Sequence, residues 1–353
     1  MNQRKYRFDW LILAIVLFLT SLSLLALSAI DQRVLINQVI NVLVGIFGFF
    51  IFAFLPYRSF KKIVWPIAIL SLFFLILPLV LGAVIRGATR WVDIGPFSLQ
   101  PSELTKPLII LFLSNQSNIL ISLASIAPFF VLILFQPSLG GSLVLLSGWA
   151  GINFHKKNTR RYFIGLFVIG LLLLPLVWTF LLAPFQKTRI TSFLNPGQDP
   201  LGSGYQSRQA IITIGSGQLI GRGLGLGPQS RLAFLPERHN DFLFASFVEA
   251  FGFLGGASVI IAYLVLFWHL FSLSEKIPDR FGQNFIVGVG VMLFFQTLVN
   301  LAMNIGLLPI TGLPLPLFSY GGSSYLSTMI SLGLVQAVCA QQTTAKMNEL
   351  RIR

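Results

Sequence analysis

The sequence is poor in charge: only 10% of its 353 residues are Asp, Glu, Lys or Arg, against roughly a quarter in an average soluble domain. With 55% hydrophobic residues, a water-soluble fold could not hide so much apolar surface, and a soluble globular protein is excluded. The single cysteine, Cys339, rules out an intrachain disulfide, and redox chemistry is not indicated. Three histidines and no Cys/His cluster leave no basis for a zinc site. Acidic residues are scarce, 11 against 25 basic ones, for a formal charge of +14. The placement of that excess makes it a topology signal, and it does not argue for nucleic acid.

Apolar stretches are abundant. Those long enough to cross a hydrocarbon core of about 30 Å, which takes roughly 20 helical residues, lie near 10–30, 34–55, 63–85, 162–183, 242–273, 281–304 and 320–342. Shorter candidates lie near 102–116, 119–135 and 138–154. They spread along almost the whole chain, so we expect one membrane domain over 1–353, an all-α polytopic fold of about ten transmembrane helices. The first stretch follows Arg4, Lys5 and Arg7 as a signal peptide would. Its apolar run is too long for an h-region, and a retained anchor is expected.

Basic clusters at Arg4, Lys5 and Arg7, at Arg58, Lys61 and Lys62, and at Lys156, Lys157, Arg160 and Arg161 should face the cytosol. Lys276 and Arg280, and the tail with Lys346, Arg351 and Arg353, extend the pattern. Segment 102–116 must then span, because otherwise the four-charge loop at 156–161 would face outward. Both termini are expected in the cytosol.

Three segments depart from a plain bundle, and all three fall on the outer side. The longest, 184–241 between the seventh and eighth spans, is a large, partly structured extracytoplasmic loop; structureless loops of that length are uncommon without a function. It sets Lys187, Arg189, Arg208, Arg222, Arg231 and Arg238 against Asp199, Glu237 and Asp241. An anionic ligand would suit it, although long loops also cross regardless of charge. Within it GSGQLIGRGLGLG, Gly215 to Gly227, holds six glycines, which allow tight turns and close backbone approach to a ligand or another helix. It lacks the Lys-Ser/Thr of a phosphate-binding P-loop.

In the second segment, 86–107, Ser102 can cap a helix with Glu103 in its first turn. Glu103 and Lys106, three apart, can pair on one helical face, and structural pairing is favoured over direct catalysis. The prolines and glycines of the third segment, 305–324, forbid a continuous helix, so it must be buried in protein or line a cavity.

Asp241 lies where the basic loop meets the eighth span, whose helix is expected to run about 32 residues, roughly 48 Å at 1.5 Å per residue. Beside Phe242, Leu243 and Phe244 a carboxylate is partly desolvated, which suits a general base. Asn240 and Asp241 are equally good helix N-caps, and spacing does not decide between the roles. Glu249, about two turns on, is the only acidic residue placed inside a span; it is a functional candidate or a buried structural hydrogen-bonding group. A hard divalent cation, magnesium or manganese, held by carboxylates and substrate phosphate, is compatible with this set.

Three outer stretches together resemble the SEDS proteins (shape, elongation, division and sporulation). They are ATRWVDIGPFSLQPSELTKP from Ala88, the run from Asp199 that ends GPQSRLAFLPERHNDFLFA, and LPITGLPLPLFSYGGSS from Leu308. The LPERHND and PLPL segments resemble the elongation member, RodA, more than the division member, FtsW. The resemblance implies a ten-helix peptidoglycan glycosyltransferase of the bacterial cytoplasmic membrane that polymerises lipid II at the outer face. It also implies a class B penicillin-binding protein as transpeptidase partner. The family's essential aspartate falls on Asp241, its QPSE glutamate on Glu103 and the paired lysine on Lys106. Its outer-loop tryptophan falls on Trp91, its GYQ segment on Gly204, Tyr205 and Gln206, and its SYGG segment on Ser319 to Gly322.

Two positions depart from the family pattern: Ser138 stands where a QPDxG segment usually has an acid, and Ala250 where a second glutamate usually follows Glu249. The implied mechanism has Asp241 accept the proton of the acceptor sugar's 4-hydroxyl while undecaprenyl pyrophosphate leaves the donor. Arg189, Arg208, Arg222 and Arg231, with Lys106 or a divalent ion, would meet the leaving group's growing charge. Two rivals remain: a flippase or transporter for the same lipid, and a non-catalytic scaffold for the transpeptidase.

Overall fold

In a computed structural model of the chain, residues 8–85, 88–94, 97–195, 202–232 and 234–352 are described. Arg4, Lys5, Arg7, Asp199 and Arg353 lie outside the described residues. The first helices are α1 (Trp10–Ile30), α2 (Gln32–Phe54), the single turn α3 (Tyr57–Phe60) and α4 (Val64–Leu81). Three short strands follow, β1 (Ala83–Ile85), β2 (Ala88–Ile94) and β3 (Phe97–Leu99), then α5 (Pro101–Ser114), α6 (Ile119–Phe135), α7 (Leu139–His155) and α8 (Lys157–Arg160). Helix α9 (Phe163–Leu176) runs on into a π-helical turn, Val177–Leu181. Segment 184–241 folds into α10 (Pro184–Leu194), α11 (Ser203–Ser216) and α12 (Pro228–Arg231). The chain then makes α13 (Leu243–Lys276), α14 (Arg280–Asn304) and α15 (Gly322–Ile352).

Helices α1, α2, α4, α13, α14 and α15 are long and apolar enough to cross a membrane. The four remaining expected spans correspond to α5, α6, α7 and α9 with its π turn, which are shorter. This is a polytopic helical membrane fold. Several of the few acids serve as helix caps: Asp9 accepts from Leu11 N and Ile12 N, Asp31 from Arg33 N, and Asp279 from Gly282 N.

Helices α14 and α15 form the interior. Their apolar windows are 67% and 83% buried, against 28% for α2, which turns Phe47, Val44 and Leu43 outward. Helix α2 packs along α15, α7 and α13 along α14, and α4 along α5. Exposed Trp65, Phe73, Leu172, Phe180 and Trp268 are what a lipid-facing surface requires.

The all-α membrane fold is as expected, with one small addition between α4 and α5. There β1, β2 and β3 form an antiparallel sheet in the order β1-β2-β3, with Ala83 opposite Trp91 and Val92 opposite Leu99, and β2 lies against α4 and α5. Ser102 does not cap α5: Gln100 occupies the capping position, Pro101 is the first helical residue, and Ser102 Oγ accepts from Gln100 Nε2 at 3.2 Å. Proline suits that first position, where its missing N–H would have had no partner.

The expected uninterrupted eighth helix is also corrected. Helix α13 breaks at Gly252 (φ 68°, ψ −167°), and the glycine-rich loop is woven into the break. Arg222 N and Gly223 N donate to the carbonyls of Glu249 and Ala250 at 2.9 and 3.0 Å. Phe253 N and Leu254 N donate to the carbonyls of Gln218 and Leu219 at 2.7 and 3.2 Å. Two i to i+4 helical bonds are thus exchanged for four bonds to the loop, and the backbone groups opened by the break are paired again, as a low-dielectric site demands. A methyl group at Gly252 would lie 2.3 Å from Gly221 N, so this crossing requires glycine.

Candidate functional site

The three non-helical segments meet at one end of the bundle through hydrogen bonds. Gln100 N donates to Ser323 Oγ at 2.9 Å, and Ser327 Oγ to Glu103 O at 2.7 Å, joining the start of α15 to the start of α5. Tyr320 N donates to His239 O at 3.0 Å, and the two rings stack edge-on at 5.9 Å. Arg189 Nη1 donates to Ile310 O at 3.3 Å.

Asp241 sits in the turn that leads into α13. Glu237 adopts a φ of 52°, its carbonyl accepts from Asn240 N and Phe242 N, and its carboxylate accepts from Asn240 Nδ2 at 2.8 Å. The helix begins at Leu243 with Phe242 in the capping position. The first-turn amide of Ala245 is capped from another helix, by Asn304 Oδ1 at 3.1 Å. The N-cap alternative for Asp241 is therefore corrected: the aspartate precedes the cap.

The Asp241 carboxyl faces the loop after α14. A methyl group placed on Gly312 (φ 71°) would lie 3.8 Å from Asp241 Oδ2 and 3.5 Å from Arg189 Nη1, so the carboxylate and the guanidinium border one small space. Both residues are half-buried, where charges act on each other and on a ligand more strongly than in open water. Arg189 belongs to α10, which Gln186 ties down: Nε2 donates to Pro137 O at 3.3 Å and Oε1 accepts from Ala183 N at 3.0 Å.

The other anticipated residues fall into separate groups. Arg208 is exposed and lines a cavity of about 130 Å³ with Ser192, Phe193, Gly204, Ser207, Ile211 and Gly306, in the groove between α10 and α11. Tyr205 and Gln206 are half-buried in the first turn of α11, and Trp91 is half-buried on β2. Arg222 and Arg231 are exposed, the former donating through Nε to Ser216 O at 2.9 Å.

Four others have side chains occupied within the protein. Glu103 and Lys106 form a buried ion pair at 2.5 Å, with side chains 7% and 1% exposed. Ser319 Oγ accepts from Leu315 N at 2.9 Å, closing the turn of the PLPLFS segment. The Glu249 carboxylate is 1% exposed as a residue and accepts from Gln229 N and Ser230 N at 2.9 Å, from Ser230 Oγ at 2.5 Å and from Ser216 Oγ at 3.4 Å. That is a full set of donors for a buried carboxylate, and it pins the loop to α13.

Ser138 is buried at the start of α7, where neighbouring Gly140 lies against Leu313. The Ala250 carbonyl receives Gly223 N at the helix break. Sequence reasoning did not single out Gly312, which borders the space shared by Asp241 and Arg189, or Asn300 and Asn304, which donate to the Asp241 carbonyl. Two asparagines four residues apart in an apolar span were the available signal, because buried amides in a membrane need partners.

The geometry has close counterparts. The chain is 33% identical over 339 residues to the peptidoglycan glycosyltransferase MrdB of Escherichia coli K12, covering 93% of this chain and 91% of that protein. A chain in a solved structure described as the structural coordination of polymerization and crosslinking by a peptidoglycan synthase complex superposes with a TM-score of 0.82 at 34% identity, covering 95% of this chain and 98% of that one. The crystal structure of the rod shape determining protein RodA of Thermus thermophilus gives a TM-score of 0.71 at 30% identity over 94% of this chain and 96% of that one. Residues 4–344 match the family model described as cell cycle protein, that of FtsW, RodA and SpoVE, and the chain belongs to this family, the SEDS proteins.

Proposed function

We propose that this chain is a peptidoglycan glycosyltransferase that polymerises lipid II at the outer face of the bacterial cytoplasmic membrane, in the RodA-like service of elongation and shape. The observation that carries the reading is the Asp241 carboxyl beside Arg189 across Gly312, half-buried and ahead of the helix cap. Asp241 acts as general base: it takes the proton from the acceptor 4-hydroxyl as that oxygen attacks the anomeric carbon and the bond to undecaprenyl pyrophosphate breaks. Negative charge grows on the leaving pyrophosphate, so a cation stabilises the transition state more than the ground state. The position of Arg189 beside Asp241 supports that role, and Arg208 in the groove between α10 and α11 adds a second cation.

Among the described residues no three His, Cys, Asp or Glu side chains converge, so magnesium or manganese would be held by Asp241 together with substrate phosphates. The relatives' multi-pass architecture supports a membrane site, and the basic clusters support cytosolic termini with the site outside. The crosslinking partner in the matching synthase complex supports a class B penicillin-binding protein as this chain's transpeptidase. A flippase reading fares worse, because among the described residues Glu103, Glu249 and His269 in the helices are occupied, Glu103 by Lys106, Glu249 by loop amides and His269 by Asp9 at 2.8 Å.

The test is Asp241→Asn, close to isosteric but unable to serve as the base, assayed for glycan strands from purified lipid II. We expect loss of polymer from a chain that remains folded. Wild-type strand synthesis by that variant would exclude the mechanism, and headgroup translocation in vesicles without polymer would favour the flippase.

A further inference from the structure

The carboxyl of Asp241 is aimed by its backbone, and that backbone is held by two amides from α14. Asn300 Nδ2 donates to Asp241 O at 3.1 Å and to Leu313 O at 2.7 Å. Asn304 Nδ2 donates to the same Asp241 carbonyl at 3.0 Å, while its Oδ1 caps Ala245 N. The pair is internally bonded, Asn304 Nδ2 reaching Asn300 O at 2.9 Å and Asn300 Oδ1 at 3.2 Å. Both asparagines are fully buried, 0% exposed. Spaced four apart, they lie on one face of α14, one turn above the other.

We propose that Asn300 and Asn304 are positioning residues for the reaction of Asp241, an inference that rests on the reading of Asp241 as the base. Asn300 spends one amide nitrogen on two carbonyls, that of Asp241 and that of Leu313. One rigid side chain therefore fixes the spacing between the aspartate's turn and the loop that carries Gly312. Asn304 supplies the cap of α13 from outside the helix, so the aspartate need not be spent on it. Neither asparagine is placed to touch the substrate; each acts through the backbone of the residue that does. A base displaced by about 1 Å from a productive geometry loses on the order of a hundredfold in rate, whereas the contacts that bind the lipid-linked sugars are untouched.

The experiment uses the full-length chain in lipid nanodiscs, with lipid II as substrate and initial rates measured across its concentration. Asn304→Asp keeps an oxygen for Ala245 N and exchanges the two-proton amide for at most one O–H, and Asn300→Asp does the same at the Asp241 and Leu313 carbonyls; rates are taken across pH, where a new charge beside Asp241 shifts the profile and a displaced base lowers it uniformly. Asn300→Gln, which restores the amide on a longer arm, is the conservative control. We expect kcat to fall at least tenfold in both aspartate variants with KM for lipid II within about threefold of wild type, and partial recovery of kcat in the glutamine variant. Rates are expressed per folded, monodisperse protein, so a drop in yield alone does not count. The proposal is overturned if both aspartate variants keep wild-type kcat, if KM rises in step with the loss, or if rate per folded molecule is unchanged. Asp241→Asn is measured alongside: an active Asp241→Asn would sink the general-base reading itself, while an inactive one beside fully active Asn300→Asp and Asn304→Asp would sink only the positioning role.

Discussion

Replacing Gly252 by alanine tests whether the loop from Gly217 to Gly223 is a structural part of α13. The residue stands at φ 68°, ψ −167°, a region essentially reserved to glycine, where a side chain costs of order 1–3 kcal/mol. The added methyl would also lie 2.3 Å from Gly221 N and 2.5 Å from Leu219 O. These are backbone atoms, and they cannot yield without disturbing the four bonds between residues 218–223 and 249–254. At about 0.5–1.5 kcal/mol for each bond lost, loosening two or three of them adds on the order of 1–4 kcal/mol. The expected total of roughly 2–7 kcal/mol is large on the scale of point substitutions. It is read as a lowered melting temperature of the purified protein, with early protease cleavage inside 217–223. Gly165→Ala and Gly170→Ala are the matched controls, since a methyl there meets nothing within 4 Å and helix propensity favours alanine by up to about 1 kcal/mol. A Gly252→Ala chain that melts with the wild type and keeps its loop protected would refute the woven-loop account.

Glu249→Gln should release the same loop from another side: an amide nitrogen would face backbone N–H groups, and each orphaned donor costs about 1–3 kcal/mol. The readout is faster hydrogen exchange at Gln229 and Ser230. Glu103→Gln should destabilise the fold by about 3–5 kcal/mol because it strands a buried Lys106, while Glu103→Leu with Lys106→Met should recover most of that loss; thermal unfolding of the three proteins compares them. Lys156, whose Nζ donates to Gln116 O at 2.6 Å, has its pKa lowered by burial from the usual 10.5 to about 8. The unfolded chain then binds this proton more tightly than the folded one. The penalty is complete below pH 8 and is relieved as pH rises from 8 toward 10.5. Thermal stability should therefore gain more over that window in the wild type than in Lys156→Met, and equal pH profiles would contradict the assignment.

The sequence made the bundle legible because a bilayer leaves few options: apolar runs of sufficient length must be helices, and basic clusters alternate between them. The Glu103–Lys106 pairing was legible for the same kind of reason, since three residues on a helix fix the neighbourhood whatever surrounds it. What escaped depends on contacts distant in sequence. The break at Gly252 depends on a loop some 30 residues earlier bonding to its carbonyls, and nothing in FVEAFGFLGG distinguishes a broken helix from a continuous one. Ser102 looked like a cap by type, but Pro101 begins the helix one residue before it. That α13 begins beyond Asp241, with Ala245 N donating to Asn304 Oδ1, likewise depends on a residue 63 positions from the aspartate.

The same dependence explains how so apolar a protein holds charged side chains in fixed places. Non-helical backbone at the end of a bundle survives only if every exposed N–H and C=O finds a partner, and here the partners are other non-helical segments and buried amides. Segment 217–223 satisfies the break in α13, and Ser323 and Ser327 satisfy the start of α5. Asn300 satisfies both the turn of Asp241 and the loop of Leu313. Each of these bonds crosses between segments that carry residues of the candidate site. Releasing one would leave a polar group unpaired in a low-dielectric setting, at a cost of kilocalories rather than tenths. Satisfying the backbone and fixing Asp241 against Arg189 are therefore one structural requirement. Under the proposed reaction, an aspartate held this way would not need to reorganise when charge moves in the transition state, the condition under which preorganised electrostatics accelerates a reaction.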